Sequence, residues 1–226
     1  MGDVTASRLS SIEPFEDATV GPAVRGFLHR PPGPPTRGLV LTHGAGSNCE
    51  APMLLAVAVA LAVAGFTVLR CDLPFRQARL VGPPSPATTA RDRDGLRRAV
   101  VALRSLVTGH VSLGGHSYGG RQASMLVAAE PALAEALLLL SYPLHPPRRP
   151  TEWRTEHFRA LRTPALFVHG SRDPFGSLAE LEEASRLIPA PTALVAVEGA
   201  GHDLGRGGPE TPLASIVGAF SRLFPR

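Results

Sequence analysis

Gly114-Gly115-His116-Ser117-Tyr118-Gly119-Gly120 is the stretch on which the reading of this 226-residue chain turns. Val111-Ser112-Leu113 before it is short and strand-like, and Arg121 to Ala129 after it reads as a helix. Gly115-His116-Ser117-Tyr118-Gly119 therefore falls where a strand turns sharply into a helix, the setting in which Gly-x-Ser-x-Gly forms a nucleophile elbow. The glycines are needed because such a turn brings backbone against backbone. Ser117 is expected in a strained conformation with its hydroxyl above the sheet edge. A bland alternative is a glycine-rich turn carrying an idle serine, so the rest of the chain has to decide.

Outward from this stretch the pattern is rhythmic. Short apolar runs at 39–42, 67–70, 111–115, 137–141, 165–169 and 193–197 read as strands, and 24–30 reads as an edge strand ended by prolines. Helices are expected at 52–64, at 88–108, and at 209–224. In the second of these, Leu96, Ala99, Val100, Leu103 and Leu106 recur at helical spacing. Residues 1–16 look like a polar, flexible leader, and 17–226 like a single domain. Nearly all-apolar strands alternating with helices imply the α/β class: a mostly parallel twisted sheet with helices on both faces. In such sheets functional groups gather in the loops after the carboxyl ends of strands.

Four loops stand at those ends. His43-Gly44-Ala45-Gly46-Ser47-Asn48 follows the 39–42 strand, and Ser117 follows the next candidate site strand. Arg172-Asp173-Pro174-Phe175-Gly176 follows 165–169, and Gly199-Ala200-Gly201-His202-Asp203-Leu204 follows 193–197. The chain order is His-Gly loop, Ser, Asp, His, each at its own strand end. This order resembles the α/β-hydrolase superfamily over nearly the whole chain beyond the first ~20 residues. The runs HGAG, GGHSYGGR, RDPFG and GAGHDL are similar to those of small members with minimal caps, such as the dienelactone hydrolases and the testis-expressed protein 30-like hydrolase family. Dienelactone hydrolases carry Cys where this chain has Ser117, and the testis-expressed group commonly has Met where Tyr118 stands.

The chemistry asks for these residue types independently of kinship. A serine hydroxyl needs an adjacent base at neutral pH. His202 suits that task, with an ordinary imidazole pKa of roughly 6.5. Asp173 would orient the imidazole and stabilise its cation. The backbone N–H groups of Tyr118, at the start of a helix, and of Ala45, in the His-Gly loop, are the candidate oxyanion donors. Each has a plainer reading. Asp-Pro opens turns, Asp72 also follows a strand end and is the alternative acid, and His43 and His116 would simply fill space or hold loops. Arg121 is expected to pair with an acid or a loop carbonyl. Phe75, Arg76, His116 and Trp153 are the candidate substrate contacts, the last from a short cap region at 142–163. Arginines at 76, 148, 149 and 154 suit either an anionic substrate or a solvated face.

The resulting expectation is a serine hydrolase, carboxylesterase-like, cleaving ester- or thioester-type small carbonyl substrates through an acyl-enzyme. A catalytically idle hydrolase-like binding or scaffold protein is the alternative. No metal or organic cofactor is implied, and the partner is a small-molecule acyl substrate. All 23 basic residues are arginine, giving a net charge of +4 and a pI near 10.0. They are interspersed with acids, as in Arg91-Asp92-Arg93-Asp94, without a basic stripe and aromatics, so nucleic acid is not expected. The longest apolar run, Met53 to Phe66, is short for a membrane span of ~20 residues, so no membrane is expected either. The N-terminus lacks the apolar core of a secretory signal, and a cytoplasmic location is expected. Cys49 and Cys71 are expected as reduced buried thiols. The oligomeric state is left open.

Overall fold

A computed structural model describes residues 11–207 and 211–223. Strands β1 (Ser11–Asp17), β2 (Val24–Arg30), β3 (Arg37–Thr42), β4 (Phe66–Cys71), β5 (His110–His116), β6 (Leu137–Leu140), β7 (Ala165–Gly170) and β8 (Thr192–Val197) form one sheet in the order β1-β2-β4-β3-β5-β6-β7-β8. From β4 to β8 every pairing is parallel, while β1 and β2 are antiparallel additions. The helices are α1 (Pro52–Val63), α2 (Pro74–Ala78), α3 (Thr89–Arg104), α4 (Tyr118–Ala129), α5 (Leu178–Ser185) and α6 (Leu213–Ser221). No helix among the described residues is long and apolar enough to cross a membrane.

Side chains on successive strand residues point to opposite faces, so a strand buried on both faces must be apolar throughout. In β6, Leu137 and Leu139 enter one core, which includes residues of α3, α4 and α5. Leu138 and Leu140 enter the other, with residues of α1 and α6. Leu39 and Leu41 likewise join the second core and Val40 the first. This explains why the apolar runs show no alternation in the sequence.

Chain direction across the sheet reverses at β3, which has β4 on one side and β5 on the other. Loops leaving the carboxyl ends of β3 and β5 therefore diverge and open a crevice, the usual ligand position in such sheets. Thr42 and Gly115 are paired in register there, which puts the His43 loop beside Ser117.

One sequence expectation is corrected. Residues 11–16 belong to β1, which pairs with β2 along its whole length, so they are not a leader; residues 1–10 lie outside the described set. The segment is polar because it holds the sheet edge by charge: Glu13 lies 2.8 Å from Arg30 and Glu16 2.9 Å from Arg25. Of its side chains, Phe15 packs against the core. Pro14 is tolerated because an edge strand has one unpaired side. Consequently β2 is an inner strand. The last helix is also shorter than expected, Leu213–Ser221, with residues 208–210 and 224 outside the described set.

Candidate active site

Ser117 sits between β5 and α4 with φ 50° and ψ −116°, a left-handed corner that costs a residue with a Cβ. Neighbouring glycines make the corner possible. A Cβ on Gly119 would lie 2.5 Å from the His43 carbonyl oxygen, and one on Gly120 would lie 2.6 Å from that of Gly115. The Ser117 N–H donates to the Leu140 carbonyl at 2.8 Å, tying the corner to β6.

Three strand ends converge on this serine. His202 Nε2 lies 2.8 Å from Ser117 Oγ, and His202 Nδ1 lies 2.8 Å from Asp173 Oδ2. The other Asp173 oxygen accepts the Phe175 N–H at 2.9 Å, and His169 Nε2 is 3.7 Å from Oδ2. Burial alone would push the Asp173 carboxyl up. The hydrogen bond from His202, its charge and the Phe175 N–H together outweigh that and hold it below its usual range. An ionised Asp173 accepts at Oδ2, so Nδ1 carries the proton and Nε2 is left to accept from the serine hydroxyl. Asp72 does not reach His202: it accepts the Cys49 N–H at 2.7 Å and lies 3.4 Å from His43.

His202 is also held by His116 and Phe175. His116 Nε2 donates to the His202 carbonyl at 2.8 Å, and the two rings lie 5.1 Å apart. The Phe175 ring also lies against the His202 ring, at 4.3 Å between ring centroids. Burial pushes the His116 imidazole down to about 4, so it stays neutral and acts as a fixed donor. His116 therefore holds His202 through its backbone carbonyl.

The His43–Asn48 loop is fastened from behind. His43 is buried; its Nδ1–H donates to the Gly44 carbonyl at 2.8 Å, leaving Nε2 to accept the Leu73 N–H at 3.1 Å. Arg76, expected at the substrate, is buried instead. It donates to the carbonyls of Ser47 (2.9 Å), Ala45 (2.8 Å), Leu80 (2.7 Å) and Gly82 (3.1 Å), with its guanidinium 4.9 Å from the Phe75 ring centroid. Phe75 is buried too, packed edge-on against Tyr118 at 5.7 Å. Both expectations failed for one reason: α2 turns this segment inward, where Arg76 meets carbonyls that need donors. Asp92, which the sequence did not single out, accepts from Tyr118 Oη at 2.7 Å and from the Phe75 N–H at 2.9 Å. The Tyr118 side chain is thereby drawn inward. Its backbone N–H, at the first position of α4, has no acceptor within the helix.

A cleft of about 310 Å³ opens over Ser117, walled by Ala45, Tyr118, Pro143, Phe175 and the arginines 121 and 154. Trp153 is not in that wall; it is partly buried and packs against the core. Arg121 also departs from expectation, because it has no ion-pair partner within 4.0 Å among the described residues and its buried Nε is unbonded. Cys49 and Cys71 are buried and unpaired with one another.

Comparison with known proteins agrees with this architecture. The alpha/beta hydrolase domain family matches residues 35–209. Dienelactone hydrolase from Anabaena variabilis superposes with a TM-score of 0.73 at 21% identity, over 96% of this chain and 98% of that one. Est1E from Butyrivibrio proteoclasticus gives 0.73 at 18%, over 93% and 98%. A serine hydrolase without a lid from Xanthomonas campestris gives 0.66 at 17%, over 95% and 93%. With three strand ends meeting at the elbow and the family match spanning the sheet from β3 to the loop after β8, this chain belongs to the alpha/beta hydrolase family.

Proposed function

We propose that the protein is a serine hydrolase of small ester- or thioester-type carbonyl compounds, with Ser117, His202 and Asp173 as its catalytic triad. The observation that carries this reading is the unbroken chain Ser117 Oγ–His202 Nε2 and His202 Nδ1–Asp173 Oδ2, each link 2.8 Å. Three separate strand ends must be in register to make it, and an idle scaffold has no need of that register. The fold itself, shared with hydrolases, adds support but does not establish an activity.

In the proposed reaction Ser117 Oγ attacks the substrate carbonyl carbon as its proton passes to His202 Nε2. The carbonyl oxygen becomes the oxyanion, facing the N–H groups of Tyr118 and Ala45; losing one such donor typically costs about 10²- to 10³-fold. Collapse breaks the bond to the leaving group, which takes the proton from Nε2, and the acyl group stays on Ser117. Water then gives its proton to Nε2, attacks the acyl carbon, and the serine recovers the proton as the acid leaves. No step requires a metal or an organic cofactor, and the cleft volume suits a small acyl compound rather than a polymer.

Fluorophosphonate labelling tests the reading, because the probe reacts covalently with an activated serine. Wild-type protein is expected to label and Ser117→Ala to remain unlabelled. Folded wild-type protein that takes up no probe would overturn the reading in favour of a binding protein that keeps the hydrolase fold.

A further inference from the structure

Arg121 and Arg154 face the same small cleft as Ser117. Arg121 lies one helical turn beyond the serine, its N–H bonded to the Ser117 carbonyl at 3.0 Å. Arg154 comes from the segment after β6, held in place by its own N–H on the Leu144 carbonyl (2.7 Å) and its carbonyl on Tyr142 Oη (2.6 Å). Neither cleft arginine has a carboxylate within 4.0 Å among the described residues, so neither charge is neutralised in place by an ion pair there. Arg154 spends one nitrogen on the Pro143 carbonyl at 3.2 Å. Arg121 leaves its buried Nε without an acceptor among the described residues, a donor whose desolvation they do not offset.

The surroundings offer no counter-charge inside the cleft. His157, near Arg121, is pushed down to about 4 by burial and then by Arg121 itself, and so is neutral. Burial and the nearby Arg121 charge also lower Arg154. Glu156, the acid whose field reaches Arg154 and His157, is exposed. Two guanidiniums converging on one half-closed cleft raise its positive potential and attract an anion of matching geometry. A guanidinium satisfies such a group with two parallel N–H bonds, which a neutral group cannot reciprocate.

The geometry points to an anion subsite beside Ser117, formed by Arg121 and Arg154, that selects substrates carrying a carboxylate or phosphate a few atoms from the reacting carbonyl. This rests on the hydrolase reading of the cleft. The sequence offers Arg154, with Arg76, Arg148 and Arg149, as suiting either an anionic substrate or a solvated face; the structure turns Arg76 away from the cleft and puts Arg121, expected to be structural, beside Arg154.

Paired esters test it. 4-Nitrophenyl monoglutarate is compared with its neutral methyl ester, placing the anion on the acyl side. 4-Carboxyphenyl acetate is compared with phenyl acetate, placing it on the leaving group. Wild-type protein is expected to favour the charged member of one pair by at least 10-fold in kcat/KM. Arg121→Gln and Arg154→Gln are each expected to reduce that ratio several-fold, and Arg121→Lys to retain more of it than Arg121→Gln. Whichever pair shows the preference assigns the side. Equal cleavage of both members in both pairs, or a preference that survives both Gln substitutions, would overturn the subsite while leaving the hydrolase standing. If no ester is cleaved and the fluorophosphonate does not label, the hydrolase reading falls, and glutarate binding decides the subsite alone. A rise in Tm with millimolar glutarate in wild type but not in the Arg121→Gln/Arg154→Gln variant supports it, and no rise overturns it.

Discussion

Asp173→Asn separates a triad from a mere hydrogen-bonded cluster. Asn is isosteric with Asp, and the Phe175 N–H at 2.9 Å demands an oxygen on its side of the group. The amide NH₂ must therefore face His202 Nδ1, which now has to accept a hydrogen bond. That moves the imidazole proton to Nε2, where it points at Ser117 Oγ and blocks the base. If Asp173 merely contributed one hydrogen bond, its replacement would cost about 0.5–1.5 kcal/mol, or roughly 2- to 13-fold in rate. If it sets the tautomer, the loss is on the order of 10⁴-fold in kcat, about 5.4 kcal/mol of transition-state stabilisation. The gap between these outcomes is wide enough to read with a 4-nitrophenyl ester and with the rate of fluorophosphonate labelling, with circular dichroism as the check on folding. A folded Asp173→Asn protein retaining a tenth or more of wild-type kcat would refute the tautomer reasoning.

Three further outcomes follow from the same contacts. Arg76→Met removes the donor shared by the carbonyls of Ala45, Ser47, Leu80 and Gly82, and is expected to lower stability by about 2–4 kcal/mol in a urea titration and, under the proposed reaction, to slow ester cleavage as the His43–Asn48 loop loosens. Gly119→Ala forces a Cβ to within 2.5 Å of the His43 oxygen, so the elbow must open; a loss of about 1–3 kcal/mol and of labelling is expected, and unchanged labelling would show the corner to be tolerant. Stability should fall on acidification from pH 7 to pH 5, measured by Tm: His29, His116 and His157 are each held down to about 4 by burial, so between pH 6.5 and 4 the unfolded chain takes up protons that the folded one refuses. The raised Asp92 carboxyl acts against this fall, the depressed Asp173 carboxyl adds to it only once the pH drops toward 3.8 and below, and a flat Tm from pH 7 to pH 5 would contradict the assignment.

The fold was legible because the parallel strands are apolar on both faces and because turns and helices separate them at regular intervals. The candidate triad was legible because its members sit at strand ends, where chain order and sheet position are coupled. The inner ring of contacts was not. Arg76 and Phe75 follow a strand end as Asp173 does, and only the inward path of α2 tells them apart from pocket residues. Asp92 reads as one charge in a run of alternating charges on α3, yet it is fully buried beneath Tyr118. Arg121 falls at a helical position from which, in sequence, any of several acids seemed within reach. β1 was missed because its pairing is secured by cross-strand charge, which leaves no hydrophobic period to detect.

The left-handed corner at Ser117 has a consequence for how this chain tolerates change. A non-glycine residue in such a conformation costs about 1–3 kcal/mol, and glycine would occupy it freely. Ser117→Gly should therefore give a protein that melts higher than wild type and does nothing to a substrate. At this position folding and reactivity pull in opposite directions. Any search for more stable variants, run without an activity screen, would be drawn first to the residue on which the proposed chemistry depends.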